Sequence, residues 1–417
     1  MIIQTLALIL GTALSTPFAI ENTTVHVADG TVLENTTVVV AEGKIKYIGK
    51  SKALEVANRI DGTGKILTPD LIEINCPMGL VEVSSVDHTV DTRSGDNPFS
   101  AAFKAAEGFN PNSVRIPIAR EGGVTRIQIT SKGGIISGQG FFADMTGTME
   151  SRPNLKKPSV FSGSAGNWAI ETAGGSRGAY WMKLEQLFAD ARYYQRNKKR
   201  IESGEHRDLI TSPAHLAAMR PLIMGQAPLM LSVDRASDIL RALEFAKAQR
   251  IKLVILGGAE SWLVADAIRT AKVPVVVRPS LQQPGSFSSV ASRDDLAAVL
   301  ASQGIDVLLS AGGWFLEVHR LRQEAGIAVS NGLSYENAMR SITSLPARIF
   351  GLDKKTGTIE NGKLADLVLW SGDPFENHTL AEQVWIAGKP QSLETRQKSL
   401  AKRYLKISPK PTAPAEK

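Results

Sequence analysis

The fold is decided by a stretch in the middle of the chain, which reads LMLSVDRASDILRALEFAKAQRIKLVIL from Leu229 to Leu256. It begins with one apolar run and ends with another, each of a length typical of a single strand. Between them, residues 238–249 carry apolar side chains at helical spacing, and Ser237 is placed to cap the N-terminus of that helix. Apolar strands that alternate with amphipathic helices are typical of a parallel sheet buried on both faces.

The same alternation continues towards the C-terminus. It predicts helices near residues 260–271 and 293–302, and strands at 273–277 and 305–310. Residues 154–215 fit the alternation less well and indicate an insertion of loop and helix. In a chain of 417 residues, the pattern predicts a TIM-like (β/α)8 barrel over residues 67–351. Functional residues would then follow the C-terminal ends of the strands.

Both ends of the chain show a different pattern. Residues 20–66 contain short β-branched runs separated by turn residues such as Asp29-Gly30 and Glu42-Gly43, which is typical of β-hairpins. A similar unit occupies residues 352–392. Two segments at opposite ends of a chain can pair while the chain between them forms a separate domain. We therefore predict a composite β-sandwich, formed by the N- and C-terminal segments, beside the barrel.

The two termini are predicted to lie outside these units. Residues 1–19 contain an apolar run followed by small residues, which indicates a cleaved signal peptide and hence a periplasmic or secreted protein. No later segment has ~18 uninterrupted apolar residues, so we expect no membrane span after cleavage. Residues 393–417 are expected to form a C-terminal helix and a disordered, proline-containing tail.

Composition excludes several classes of function. The chain has 48 Lys and Arg against 41 Asp and Glu, and the resulting net charge of +7 is spread along the sequence. A nucleic-acid-binding protein would gather its basic residues on one face among recognition motifs, so we expect no nucleic-acid partner. Cys76 is the single cysteine, which excludes an intramolecular disulfide and a thiolate zinc cluster. We expect it to pack as a buried thiol.

Two glycine-rich segments invite a comparison with known catalytic motifs. Residues 133–140 have neither the lysine spacing of a phosphate-binding loop nor the glycine spacing of a dinucleotide-binding turn. Residues 162–166 do not have the residue order of a nucleophile elbow. Both segments are predicted to be loops over the barrel mouth.

Three motifs near the C-terminus carry a resemblance to a known family. They read ITSLPARIFG at residues 342–351, GTIENGKLADLV at 357–368 and GDP at 372–374. The chain strongly resembles the amidohydrolase superfamily, particularly its imidazolonepropionase-like branch, over nearly its whole length after the signal segment. The resemblance implies metal-assisted hydrolysis of a C–N bond other than a peptide bond. In such enzymes zinc or a similar divalent ion lowers the pKa of bound water and polarises the carbonyl.

The sequence departs from this family where the metal would bind. Asn75 and Pro77 stand at the positions of the family's two histidines after the first barrel strand, and Ser232 matches the histidine of the fifth strand. The sixth strand ends without a histidine, and the last reads SAGG at residues 310–313, without the family's aspartate. Asn is a weak zinc ligand and Pro has no donor side chain. These degraded metal motifs predict that the protein has no metal cofactor, although the family would use zinc or a similar divalent ion.

No residue is assigned a catalytic role from the sequence. The polar residues expected at the barrel mouth, and therefore the candidates for a ligand pocket, are Asn75, Ser232, Asp234, Glu260, Ser310 and His319.

Two functions remain open on the sequence alone. The first is a non-catalytic scaffold that binds a small molecule, or that assembles with an active amidohydrolase relative or as a homo-oligomer. The alternative is a divergent hydrolase acting on C–N bonds other than peptide bonds. Its site would be relocated or independent of metal, and would use Asp234, Glu260 or His319.

Overall fold

The structure is a computed structural model, and it describes residues 16–50, 56–95, 97–154, 156–205, 207–313 and 317–405, without the side chain of Glu150. Most of the predicted signal segment and the end of the predicted tail lie outside the described residues. Among the described residues, no helix combines the length and the apolar character that crossing a bilayer requires.

The strands and helices follow in chain order. The strands are β1 (Phe18–His26), β2 (Val32–Ala41), β3 (Lys44–Gly49), β4 (Asn58–Asp61), β5 (Ile66–Pro69), β6 (Leu71–Cys76), β7 (Val124–Ile129), β8 (Ile136–Asp144), β9 (Val160–Ser164), β10 (Leu229–Val233), β11 (Leu253–Gly257), β12 (Val275–Val277), β13 (Val307–Leu309), β14 (Leu367–Trp370), β15 (Ala381–Ile386) and β16 (Lys389–Pro390). The helices are α1 (Ile116–Glu121), α2 (Asn167–Thr172), α3 (Arg177–Glu202), α4 (Pro213–Ala218), α5 (Arg220–Ile223), α6 (Ala236–Gln249), α7 (Ala265–Ala271), α8 (Leu296–Ser302), α9 (Leu321–Ser330), α10 (Tyr335–Ile342), α11 (Ser344–Ile349) and α12 (Arg396–Leu405).

Both ends of the chain contribute to one β-sheet. Its order is β16-β15-β14-β5-β1-β2-β3, with β4 paired to β1. The N- and C-terminal segments meet where β5 and β14 run antiparallel, with Leu67 opposite Leu369. Phe18 stacks on Trp385 with ring centroids 5.3 Å apart, so the apolar core of this unit also joins the two segments. The predicted composite β domain is confirmed.

The second sheet forms the barrel. Strands β6 to β13 follow one another in chain order, and the predicted alternation is seen where β10 pairs in parallel with β11. The sheet curls until its first and last strands meet at their C-terminal ends, where the amide of Gly313 donates to the carbonyl of Asn75 at 3.1 Å. Met230, Val254 and Leu308 belong to one buried cluster that is closed by residues of α11. The TIM-like barrel prediction is confirmed.

One barrel strand runs against the others. β8 pairs antiparallel with both β7 and β9, so the sheet contains a hairpin that simple strand and helix alternation does not anticipate. Gly133 and Gly134, both with positive φ, form the turn that reverses the chain. The prediction that residues 133–140 and 162–166 are loops is wrong in part, because β8 begins at Ile136 and β9 extends to Ser164.

Two boundaries differ from those predicted. β1 begins at Phe18, and Phe18 and Ala19 are buried opposite Val40 and Val39, although both were assigned to the signal segment. β5, which ends at Pro69, lies in the β domain rather than in the barrel, whose first strand begins at Leu71. A strand already paired and buried at residues 18 and 19 indicates that the folded unit begins before residue 20.

A buried charge network joins the β domain to the barrel. Arg126 on β7 donates to Asp144 at 2.8 Å and to Asp366 at 3.0 Å, and it lies 3.8 Å from Asp70. Asp366 belongs to the GKLAD turn quoted above, and its other oxygen accepts from the amide of Ala387 at 2.6 Å. Burial, and then repulsion from Asp366, raises the pKa of Asp70 to about 7. The motif is therefore structural, because its carboxylate joins the two domains.

Candidate functional site

A cavity of about 380 Å³ opens at the C-terminal ends of the barrel strands. Strand alternation explains which side chains reach it. Three lining residues, Ser232, Arg278 and Ser310, each come two positions after a residue whose side chain belongs to the cluster inside the barrel. Side chains two positions apart on a strand point to the same face, so these three also point into the barrel, one layer nearer its mouth. The loop after β12, from Leu281 to Ser292, forms the other wall. This is the position at which TIM barrels carry their functional sites.

A buried carboxylate that the sequence interpretation missed lies on β6, hydrogen-bonded to two residues that line the cavity, Asn75 and Ser310. Glu73 on β6 accepts from the amides of Ile74 and Asn75, both at 2.9 Å, from the Ser310 hydroxyl at 2.6 Å and from the amide of Ala311 at 2.9 Å. Burial raises the pKa of Glu73. The sequence contained one signal for this residue, since a carboxylate within an otherwise apolar strand indicates a buried polar group with specific partners. Its bonds join the first barrel strand to the last.

Asn75, whose backbone amide donates to Glu73, lines the cavity. Its Oδ1 accepts from the hydroxyl of Thr130 at 3.0 Å, which orients the amide so that Nδ2 is the donor end. The Ser310 hydroxyl already has a partner both as donor and as acceptor, because it donates to Glu73 and accepts from the amide of Gly312 at 2.9 Å. Asn75 therefore offers the cavity a polar group, whereas the Ser310 hydroxyl mainly closes the barrel.

Asp234 is the carboxylate that follows β10 and lines the same cavity. Its Oδ1 accepts from the amide of Ala259 at 3.2 Å, and burial raises its pKa. Gly257 allows this approach, since its φ of +91° favours glycine and an added Cβ would lie 2.5 Å from Asp234 Oδ1. The end of β11 thus holds Asp234 at the mouth.

Arg278 follows β12 and was not predicted. Its guanidinium donates to the carbonyl of Gly312 at 3.2 Å and to Glu317, and its Nε lies 3.5 Å from Glu324. Glu324 in turn accepts from the amide and the hydroxyl of Ser280, at 2.9 and 2.6 Å. The positive charge at the mouth is therefore shared between two carboxylates.

Gln282 was also missed by the sequence interpretation. It is only 7% exposed and lines the cavity, and its Nε2 donates to the carbonyl of Arg278 at 2.9 Å. Its Oε1 is buried and has no hydrogen-bond partner among the described residues. Nothing in the sequence distinguishes this glutamine from the polar residues around it, because its position depends on the path of the loop.

Four of the six predicted pocket residues are brought together: Asn75, Ser232, Asp234 and Ser310 line the cavity. The other two lie elsewhere. Glu260 accepts from the amides of Ala236 at 3.0 Å and Ala291 at 3.4 Å, and so holds the start of α6 against the loop. The backbone carbonyl of His319 packs against Gly122, at the end of α1 just before β7. Neither Glu260 nor His319 is part of the cavity wall.

A zinc ion of the kind bound by three or four His, Cys or carboxylate ligands does not fit the described residues. Within them, no group of three or more His, Cys, Asp or Glu side chains could hold a metal ion. Asp234 is the one carboxylate among the described residues that line the cavity, and none of these residues is a histidine.

Comparison with known proteins supports the family resemblance. The amidohydrolase family profile matches residues 303–391. A curated relative, amidohydrolase tasK from Hapsidospora irregularis, is 20% identical over 370 residues, which cover 82% of this chain and 38% of that protein. The chain thus spans well under half the length of this relative.

Solved structures cover the chain more evenly. An amidohydrolase from Thermotoga maritima MSB8 is 26% identical, with a TM-score of 0.81 over 89% of this chain and 99% of its own. An adenosine deaminase from Xanthomonas campestris with bound zinc has a TM-score of 0.52 and 16% identity, and the match covers 93% of this chain and 97% of the deaminase. The second likeness concerns the fold alone.

The zinc-bound neighbour corrects one prediction. The sequence interpretation concluded that the protein has no metal cofactor, but a protein of the same fold carries zinc. The absence of a cofactor does not follow from degraded motifs, and that prediction is wrong. The family assignment rests on the sequence motifs, the family profile and the Thermotoga maritima structure together. Together these findings support the relationship of the chain to the amidohydrolase superfamily.

Proposed function

We propose that the protein binds a small polar molecule in the cavity at the barrel mouth and does not hydrolyse it. The observation that carries this proposal is that two carboxylates near the barrel mouth are hydrogen-bonded to the backbone. Glu73 and Glu260 accept backbone amides with both of their oxygens. A general base must instead reach the proton that it removes, directly or through one water. These two carboxylates support the structure rather than a reaction.

The cavity supports ligand binding by its size and its lining. A volume of about 380 Å³ lies within the range of small-molecule sites, ~300 to 1,000 Å³. Apolar side chains such as Leu256 and Val276 line the cavity together with more numerous polar ones, among them Asn75 and Asp234. Polar groups that converge on a cavity fix the orientation of a bound molecule, and a lining this polar suits a polar ligand.

A second candidate function is favoured by Asp234. It is a largely buried carboxyl with a raised pKa, and it lies at the C-terminal end of a barrel strand. Such a group is suited to general acid or base chemistry. The alternative is therefore hydrolysis of a C–N bond other than a peptide bond, with Asp234 as the residue that moves the proton.

We also propose that the protein acts in the periplasm or outside the cell, after cleavage of the N-terminal signal segment. Its partner there would be an active amidohydrolase relative or further copies of this chain. Size-exclusion chromatography with light scattering on the mature protein tests the second partner directly. A strictly monomeric protein at micromolar concentration would leave the active relative as the proposed partner.

The test of function uses the purified full-length chain and a panel of cyclic amides and dipeptides. Thermal shift measures binding and mass spectrometry measures product, with metal content determined and with zinc or manganese added in parallel. We expect a raised melting temperature with at least one compound and no product above the rate in buffer. Turnover that Asp234→Asn abolishes would replace our proposal by the hydrolase. Turnover that Asp234→Asn leaves intact would refute both.

A further inference from the structure

Gln282, which lines the cavity, carries a buried hydrogen-bond acceptor that no described protein group satisfies. Gln282 is buried, and its Nε2 is held by the carbonyl of Arg278, which fixes the amide so that Oε1 is the remaining polar atom. Oε1 has no partner within the described part of the chain. A buried carbonyl without a donor costs free energy, so this position favours a ligand that brings an N–H or O–H group.

A second acceptor lines the same cavity. Asp234 receives an amide from Ala259, but among the described residues it has no ion-pair partner. A carboxylate can accept about four hydrogen bonds, so capacity remains for a donor from a ligand. An ionised donor would form the stronger, charge-assisted bond. Two acceptors in one cavity therefore select for a ligand with several hydrogen-bond donors.

The charge around the mouth favours a positive ligand. Arg278 is within ion-pair distance of both Glu317 and Glu324, so its charge is already balanced. Lys132 donates to the carbonyl of Gly313 and does not line the cavity. Among the described residues that line the cavity, Asp234 is the charged group without an ion-pair partner. A carboxylate ligand would have to compete with two glutamates for Arg278, whereas a cation meets an unpaired partner.

We propose that this cavity binds a small organic cation through its N–H groups, with Asp234 and the amide oxygen of Gln282 as acceptors. This inference rests on the proposed ligand-binding function. The ligand carries an ammonium or guanidinium group on a short apolar body. The cationic group lies between the two acceptors, and Leu256 and Val276 contact the apolar part.

Isothermal titration with four probes tests the inference on the full-length protein. Agmatine and n-butylamine carry cationic N–H donors, n-butanol is a neutral isostere, and tetramethylammonium is a cation without N–H. We expect agmatine or butylamine to bind at least about ten-fold more tightly than butanol and tetramethylammonium. If butanol binds as tightly as the amines, the requirement for a charged ligand is overturned. If tetramethylammonium binds as tightly as the amines, the requirement for N–H donors is overturned.

Two variants and a matched control locate the binding. Asp234→Asn should weaken cation binding by about ten-fold or more, and Gln282→Leu by a few-fold while the melting temperature is maintained. Asp266→Asn removes an exposed carboxylate outside the cavity and should change nothing. Unchanged affinity in both cavity variants, with circular dichroism showing folded protein, would refute the inference.

The outcomes separate this inference from the proposed function. Binding of a cyclic amide or dipeptide without binding of either amine would overturn the cation inference and leave the ligand-binding function standing. Binding of agmatine together with its breakdown would support the cation site and refute the non-catalytic function. No binding of any probe or panel compound would refute both.

Discussion

The buried carboxylate at the domain junction makes the stability of the protein depend on pH in an unusual direction. Asp70 is completely buried, its Oδ1 accepts from Thr356 at 2.7 Å and its Oδ2 from Thr125 at 3.2 Å. Burial and the neighbouring Asp366 raise its pKa from 3.8 to about 7. The folded state therefore holds this proton more tightly than the unfolded chain. The stability that it contributes is complete below about pH 4 and is lost as the pH rises through about 7.

The magnitude follows from the two pKa values. A shift of about three units corresponds to about 4 kcal/mol, and the part lost between pH 5 and pH 8 is about 2 to 3 kcal/mol. Asp70→Asn keeps the shape of the side chain and cannot ionise. The variant should therefore gain about 2 to 3 kcal/mol relative to the wild type over that interval. Urea unfolding of both proteins at intervals of one pH unit measures this difference.

A matched control isolates the effect of burial. Asp306→Asn removes an exposed carboxylate that is paired with Arg348, so its effect on the free energy of unfolding should change little over the same pH range. The reasoning about the junction fails if the difference between wild type and Asp70→Asn stays constant within about 0.5 kcal/mol, or if the variant loses stability as the pH rises.

Three further predictions concern the barrel seam and the N-terminus. Gly312→Ala should lower the melting temperature markedly, because a Cβ there would lie 2.0 Å from the carbonyl of Asn75. Gly178→Ala, where φ is not positive and the structure leaves open space, is the control, and equal effects of the two substitutions would contradict the clash. Glu73→Gln should lower the free energy of unfolding, measured with urea, by about 1 to 3 kcal/mol, because one acceptor oxygen is replaced by a donor that faces the amide of Ala311. An unchanged free energy of unfolding would show that closure of the barrel does not need this carboxylate. Mass spectrometry of protein from its native envelope should find a mature N-terminus before Phe18, since Phe18 is buried in β1; a chain that begins at Ile20, or intact Met1 in cytosolic protein, would contradict this.

Local patterns of apolar residues and turn residues were enough to predict the larger architecture. The apolar runs at 229–233 and 253–256 predicted neighbouring parallel strands, which β10 and β11 are. The hairpin signals at both chain ends predicted a shared β domain, whose segments join at β5 and β14. In each case a local hydrophobic pattern has few ways to bury its apolar face, so local information restricts the larger structure to a small set of architectures.

The parts that were missed depend on contacts between residues far apart in the sequence. β8 appeared to be a glycine-rich loop, because Gly138 and Gly140 lower strand propensity, but the neighbouring strands supply partners on both sides. Gln282 is one polar residue in a polar loop, and only the path of that loop places it in the cavity. His319 follows the last barrel strand in sequence, yet the chain carries it towards α1. No local pattern encodes these placements.

The barrel seam links two departures from the family pattern that the sequence treats as unrelated. Asn75 lies where the family has a histidine, and residues 310–313 lack the family's aspartate. In the structure these two positions touch, since Gly313 donates to the carbonyl of Asn75 and Gly312 leaves no room for a Cβ against it. Glu73 closes the same seam through Ser310 and Ala311. A carboxylate side chain at position 312 would therefore require the first and last strands to separate, so the loss of that side chain and the closure of the seam are one structural change.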